Sequence, residues 1–393
     1  MTICICICVC LYLACITKKY ANSLTYLDLS DNSLGKAGTA ACVTLCDSTP
    51  KVLAHVNVQG CDIEIKNILT ALLVPHHGLQ NLSQLNLSNN KFGNENKTCG
   101  LLCDLISSTN SINNLVLKEF RFSSTSFVRL FESVFNNPNF LDFRLNLSGN
   151  DFGAKGAASL LTLLTNFPEQ EGQKFQTHGK LHSLELHDNN FGYDGLTKLV
   201  QALTSKVSLR VLGVDRNIKP GFFSEVTQQQ ILATSLAQLV NNPITGLSSL
   251  SVAGNGSSHY CKDFISVFRA LSKNTTLTSL TVSGNKLGEE NLTAFSETVA
   301  VNTALERVKI DENKWTINDL KKFSEAMSKN NALVNLELPF VDIEKLFSSA
   351  KGDPNTTPII YILIITLFTN QRMMMMMMVC HMLCYYYYIY IIF

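Results

Sequence analysis

The chain has 393 residues, 46% of them apolar, and a formal charge of +1 from 32 basic and 31 acidic side chains. That apolar content supports a sizeable core, and so even a charge balance supplies no pull toward a polyanion, which excludes nucleic acid as an expected partner. Residues 1–20 open with MTICICICVCLYLACI, an alternating low-complexity string with no basic residue ahead of it and too short to span a membrane. It reads as a gene-model artefact, with a signal peptide as the alternative.

From residue 21 to residue 350 one pattern recurs, L-x-x-L-x-L-x-x-N-x-L. Clear copies begin at Leu24, Leu82, Leu181, Leu247, Leu277 and Leu305, and weaker ones at Leu53, Ile112, Asp142, Leu209 and Leu333. This is the leucine-rich-repeat signature, in which each unit supplies a short strand and a returning segment and buries its apolar face only against its neighbours. The copies lie roughly 28–30 residues apart in all but two intervals, which leaves room for a helix in each. Ala157, Leu160, Leu161 and Leu164, and again Leu196, Leu199, Val200 and Leu203, keep the i, i+3, i+4, i+7 spacing of a buried helix face. The predicted fold class is α/β: a leucine-rich-repeat solenoid of about eleven repeats, with a curved parallel sheet inside and helices outside.

Asn32, Asn90, Asn150, Asn189, Asn217, Asn255, Asn285 and Asn313 share one repeat position, where an amide can satisfy backbone groups at the turn leaving the strand. They are predicted to form a structural ladder, not an active site. Cys61, Phe120 and Val341 stand at that position in three weaker copies, whose rungs are expected to be less regular. Gly35, Gly93, Gly153, Gly192 and Gly288 follow where a turn needs positive φ or close packing. Asn274, Asn302 and Asn330 each stand three residues before the next strand's first leucine, which suits a left-handed helix cap. The two wide intervals carry "FPEQEGQKFQTHGK" and "NIKPGFFSEVTQQQ", candidate contact loops or tolerated surface excursions.

Of thirteen cysteines, five fall in the first fifteen residues and two in the last fourteen, leaving Cys42, Cys46, Cys61, Cys99, Cys103 and Cys261 in the body. The pairs Cys42/Cys46 and Cys99/Cys103 are spaced i, i+4 and read as core thiols, since no CxxC or nearby histidine completes a zinc set. The sequons at Asn86 and Asn146 fall inside predicted strands, an awkward place for a glycan. A reduced, cytoplasmic setting is the expectation.

No P-loop, HExxH, GxSxG or post-strand GxGxxG motif occurs, so the chain is read as a non-enzyme with no cofactor and no metal. His178, His182 and His187 cluster in sequence, but their repeat positions point them in different directions. The residues alternating with the strand leucines are Tyr26, Asp28, Asn57, Gln84, Asn86, Arg144, Asn146, Glu185, His187, Ser251, Thr281, Arg307, Lys309 and Glu337. They make a polar face of mixed sign. It is the candidate partner face, with Tyr26, Asp28, Arg144, Glu185, His187, Arg307 and Lys309 foremost.

Residues 351–393 contain IIYILIITLF, six consecutive methionines and YYYYIYII. Met373–Phe393 is long and apolar enough to cross a membrane, yet the strings lack helical patterning. The tail reads as an artefact or, alternatively, as a membrane anchor.

The long, helix-bearing repeats resemble the ribonuclease-inhibitor-like class. Within it, residues 244–347 resemble the final repeats of the CARMIL family of capping-protein regulators. The likeness lies in the order of a Val-Ser-Gly-Asn repeat, "NTALERVKIDENKWT", a charged helix ending in "MSKN", and a last strand that breaks into Pro339-Phe340. The resemblance covers residues 24–347 and implies a protein-binding scaffold acting in actin filament capping and organisation, in the cytoplasm and at the plasma-membrane edge or lamellipodium. That family's domains on either side of the repeats, including the capping-protein-binding segment, have no counterpart in the sequence, so no site residue is carried over. Two other readings stand beside it: a GTPase-activating regulator of the Ran type, and the repeat portion of an innate-immune receptor.

Overall fold

The structure is a computed structural model that describes residues 23–47, 52–74, 81–166, 180–206, 208–219, 226–255, 264–350 and 359–360. Residues 1–20 and all of the tail except Ile359 and Ile360 therefore lie outside the described residues, as do most of both inserted loops and His178.

Each copy of the motif makes a strand because its leucines alternate with polar residues, so one face of the pleat is apolar. In the first copy Leu27 and Leu29 are buried while Tyr26 and Asp28 are exposed. Eleven such strands are present among the described residues, and the chain divides into two compact units. The first holds β1 (Tyr26–Asp28), β2 (His55–Asn57), β3 (Gln84–Asn86), β4 (Asn114–Val116), β5 (Phe143–Asn146), β6 (Leu181–Glu185) and β7 (Val211–Gly213). Each pairs in parallel with the next. Between them run α1 (Gly35–Asp47), α2 (Ile65–Leu72), α3 (Glu95–Ser108), α4 (Ser124–Phe135) and α5 (Gly153–Asn166), and α6 (Gly192–Leu203) follows β6. The second unit holds α7 (Val226–Asn241), then β8 (Ser249–Ser251), α8 (Ile265–Leu271), β9 (Ser279–Thr281), α9 (Glu289–Val301), β10 (Arg307–Lys309), α10 (Ile317–Lys329), β11 (Asn335–Glu337) and α11 (Phe340–Ser349). Strands β8 to β11 are likewise parallel and in sequence order. Each unit is a stack of leucine-rich repeats.

Strand order equals chain order because every unit returns through its own helix to the strand beside it. One irregularity marks the longer interval before β6: Phe143 pairs with Leu181 and Arg144 with Ser183, so His182 is an extra residue in its strand.

The core lies between strands and helices. In the first unit Phe127 and Phe131 of α4 are fully buried, and the Phe127 ring lies 3.9 Å from that of Phe152. In the second, Phe268, Phe295 and Phe323 form a row, with Trp315 meeting Phe323 edge-on at 5.2 Å. The periodic residues of α6 are all buried, whereas in α5 Leu163 is buried and Leu161 only half so, a rotation of the helix by part of a turn from the predicted face.

The residue before nine of the ladder positions is left-handed: Asp31, Gly60, Asn89, Glu119, Gly149, Asp188, Arg216, Gly284 and Glu312 have φ between 51° and 73°. That turn swings the chain off the sheet and directs strand-end carbonyls inward, where they need donors. Asn150 supplies them, its Nδ2 donating to the carbonyls of Leu117 at 2.9 Å and Leu147 at 2.8 Å. Its Oδ1 accepts the backbone N–H of Phe120, and its own N–H donates to Oδ1 of Asn189, whose N–H donates to Asn217. In the second unit Asn285 passes to Asn313 in the same way. Asn32 and Asn90 are half-buried and Asn255 is exposed, at the edge of a segment outside the described residues. At Cys61 a thiol replaces the amide and donates to the carbonyl of Leu29. The last rung is carried not by Val341, the aligned residue, but by Asp342, because α11 starts early and turns the next side chain inward.

Asn302 and Asn330 correct the left-handed cap expected from sequence. Both are extended, with φ of −73° and −97°, and neither they nor Asn274 has positive φ. Their amides stitch repeats together instead. Asn302 Nδ2 donates to the carbonyls of Leu271 and Asn274, and Asn330 Nδ2 to those of Val299 and Asn302. Their Oδ1 atoms receive N–H groups of the strand that follows, from Leu305 and Leu333. Asn137 does the same in the first unit, donating to Ile106 and Thr109. Where this second column has Lys206, the buried Nζ reaches the Leu164 carbonyl at 3.3 Å and lies 5.2 Å from the centre of the Phe135 ring.

Gly153 and Gly288 have φ of 64° and 75°, and nothing within 4 Å would meet an added Cβ, so backbone conformation rather than close packing selects glycine there.

Candidate partner-binding face

The face opposite the helices carries the odd residues of each strand, two per repeat, held at strand spacing by the ladders beneath. In the first unit it begins with Tyr26, 59% exposed, whose hydroxyl donates to Asp28 at 3.1 Å. Asp28 also accepts from Ser30 backbone and side chain and from Asn57 Nδ2. Those bonds from Ser30 foremost hold its carboxyl below the ordinary value, and the hydrogen bond to Asp28 pushes the Tyr26 phenol up. Gln84 is exposed on β3, and Asn86 Nδ2 donates to Gln59 at 3.2 Å. Arg144 Nη2 lies 3.5 Å from Asp142, which also meets His182 Nδ1 at 3.2 Å, and Asn146 accepts the N–H of Ser148.

Glu185, His187 and Asp215 form the tightest cluster of the face. His187 Nε2 lies 2.5 Å from Glu185 Oε2, and Nδ1 lies 2.9 Å from the Asp215 N–H and 3.2 Å from its carboxylate. A neutral ring accepts the Asp215 N–H at Nδ1, while a protonated one donates there to the carboxylate. Burial opposes the charge, but the Glu185 hydrogen bond and the charges of Asp215 and Glu185 outweigh it, so the His187 pKa stands above its ordinary value. Room comes from Gly213 in β7, where a Cβ would overlap Glu185 Oε2 and the imidazole. Burial pulls the His182 pKa the other way.

In the second unit Ser251 and Thr281 are half-exposed on β8 and β9. Arg307 and Lys309 of β10 are 62% and 61% exposed, with Lys309 Nζ 2.8 Å from Glu337 on β11 and Arg307 4.0 Å from Glu306. In each unit the strand face is thus an array of hydrogen-bonding and charged groups. Both nitrogens of His187 are engaged by acidic neighbours. Among the described residues no group of three or more His, Cys, Asp or Glu is placed to hold a metal ion. Sequence reasoning passed over Asp215 and the Asp188–Arg216 pair, joined at 2.7 Å, because each lies just past its strand, outside the alternation used to pick the face.

The model of the leucine-rich-repeat family matches residues 20–41, 144–161, 180–200 and 273–296. The mouse "Capping protein, Arp2/3 and myosin-I linker protein 2" is 29% identical over 274 residues, 69% of this chain and 20% of the relative. "Protein CARMIL" of Dictyostelium discoideum is 23% identical over 273 residues, 69% of this chain and 24% of its own length. A third relative, "Rho GTPase-activating protein gacW" of the same organism, is 24% identical over 309 residues, 72% of this chain and 26% of its own length. The chain therefore spans a fifth to about a quarter of the curated relatives it matches. A chain of the yeast Rad7–Elc1 complex shares the fold, with a TM-score of 0.50 at 16% identity, over 86% of this chain and 79% of that one. The described repeats are a leucine-rich-repeat domain similar to that of the CARMIL proteins.

Proposed function

We propose that the chain is a non-enzymatic scaffold in actin regulation, binding a protein partner on its strand face and thereby contributing to filament capping and organisation at the cell edge. The observation that carries this reading is the CARMIL likeness over 274 residues, which takes in most of the repeat region rather than one motif. The face fits the role. Its exposed Tyr26 and Arg307 are residue types that anchor protein interfaces, and both stand on strands of the sheet.

The test is direct binding of the full chain to capping protein, to Arp2/3 complex and to myosin-I, the three named for the mouse relative. Saturable binding to at least one of them at micromolar concentration is expected. Failure with all three removes the actin reading while leaving the fold untouched.

A second reading, regulation of a small GTPase, is favoured by the relative named a Rho GTPase-activating protein. It requires that the chain accelerate GTP turnover by a Rho- or Ran-type GTPase, and unchanged turnover excludes it.

A further inference from the structure

Cys99 and Cys103 stand one turn apart on α3 with their sulfurs 4.0 Å from each other. Cys99 is fully buried, whereas Cys103 reaches solvent, so the pair has one shielded and one open side. From α4 the guanidinium of Arg129 comes over the same stretch, its Nη2 3.8 Å from where a Cβ on Gly100 would stand. We propose that Cys99 and Cys103 form a two-coordinate site for a soft monovalent metal ion of the Cu(I) class, with Arg129 balancing its charge.

The geometry selects the ligand. A disulfide requires the two Cβ atoms about 3.8 Å apart, but i, i+4 positions on a helix hold them at roughly 5–6 Å, so the pair remains a dithiol unless the helix unwinds. An ion midway between the sulfurs lies about 2 Å from each, close to the ~2.3 Å of a metal–thiolate bond. Zinc needs four ligands, and the described residues supply no third to this pair. A thiolate-preferring ion content with two ligands remains.

Charge agrees with geometry. A monovalent cation that displaces the protons of the two thiols leaves a bis-thiolate complex of net charge −1, and the Arg129 guanidinium over the same stretch of α3 balances it. The other i, i+4 pair, Cys42 and Cys46 on α1, has the same spacing, but both residues are buried in a cavity lined by Leu45, Val56, Val58 and Leu85. An anionic complex there would lie against this apolar lining, so this pair is the internal control.

The experiment uses the full reduced chain with Cu(I) supplied through a competing chelator. Maleimide alkylation is read at each cysteine by mass spectrometry, because the thirteen cysteines make bulk stoichiometry uninformative. The site predicts at least tenfold slower alkylation of Cys103 with Cu(I) and no slowing with Zn(II). The protection should vanish in Cys99→Ala, persist in Cys42→Ser, and need several-fold more free Cu(I) in Arg129→Gln, which leaves both thiols in place if Cys99→Ala fails to fold. Alkylation of Cys103 at the same rate with and without Cu(I), protection that survives loss of Cys99, or an Arg129→Gln titration identical to wild type overturns the proposal.

Discussion

The backbone N–H of Asn313 donates to the carboxylate of Asp342 at 2.6 Å, so a column built from asparagine amides ends on an acid. The acid is nearly inaccessible. Burial, reinforced by the charge of Asp311, holds its pKa above the ordinary carboxylate value in spite of the hydrogen bond from Asn313. Its contribution to stability is therefore fully present below that ordinary value and is lost as pH rises through the raised one. Asp342→Asn should abolish this loss and match or exceed the wild-type stability at neutral pH. Asp342→Ala should cost about 1–3 kcal/mol by leaving the Asn313 N–H without an acceptor. Denaturant melts followed by the fluorescence of Trp315, the single tryptophan, read the second unit directly.

Glu95 predicts the opposite slope. Its carboxylate accepts the N–H of Ser123 at 2.7 Å and the hydroxyl of Ser126 at 2.6 Å, tying the first turn of α3 to the start of α4. Burial raises its pKa, but the bonds from Ser123 and Ser126 outweigh it and the value falls below the ordinary one. That contribution is present above the ordinary carboxylate range and is lost as pH falls through the lowered value. Glu95→Gln should flatten the acid limb of the stability profile, measured by circular dichroism between pH 6 and pH 2, roughly the range in which carboxylates titrate.

Asn150→Ala removes two good donor bonds to strand-end carbonyls and the acceptor for Phe120. A loss of about 2–4 kcal/mol is expected from urea melts. Asn302→Ala, in the second column, should fall in the same range, since its amide also serves both neighbouring repeats.

Gly213→Ala tests the His187 cluster. The new Cβ displaces the tips of Glu185 and His187 rather than backbone, so the fold survives while the Glu185 contact opens. With the main stabilising partner of the imidazolium moved away, the His187 midpoint should drop toward the free-imidazole value, and Glu185→Gln should lower it too. Titration of the His187 ring signal by NMR decides this, and an unchanged midpoint in both variants would mean that Glu185 does not hold the charge.

The repeats were legible because a leucine period states which face is buried without reference to partners. All eleven strands among the described residues lie at predicted copies, and the residues of the asparagine position that the structure buries are joined through their amides. Less legible was anything decided between repeats. Asn302 and Asn330 carry the composition of a helix cap, yet they bridge neighbouring carbonyls, a role that depends on how far one repeat stands from the next. Asp342 escaped notice because an early helix start shifted the rung by one residue. The link of His187 to Asp215 spans 28 residues and follows from side-chain rotamers above a glycine. Cys99 and Cys103 have the spacing of ordinary core residues, and only the fold brings Arg129 of α4 over the same stretch.

The strand face as a binding surface is most directly tested by inverting its charge in the second unit. Lys309 is ion-paired with Glu337, so Lys309→Glu alone would leave two acids facing each other, and the swap of Lys309→Glu with Glu337→Lys keeps the pair while reversing the local field. Affinity for whichever actin-regulatory protein binds the full chain should be measured by titration calorimetry for the swap and for Arg307→Glu. The account predicts at least a tenfold weakening in one or both, with melting behaviour unchanged. Wild-type affinity in both variants would contradict this strand face as the place where the partner sits.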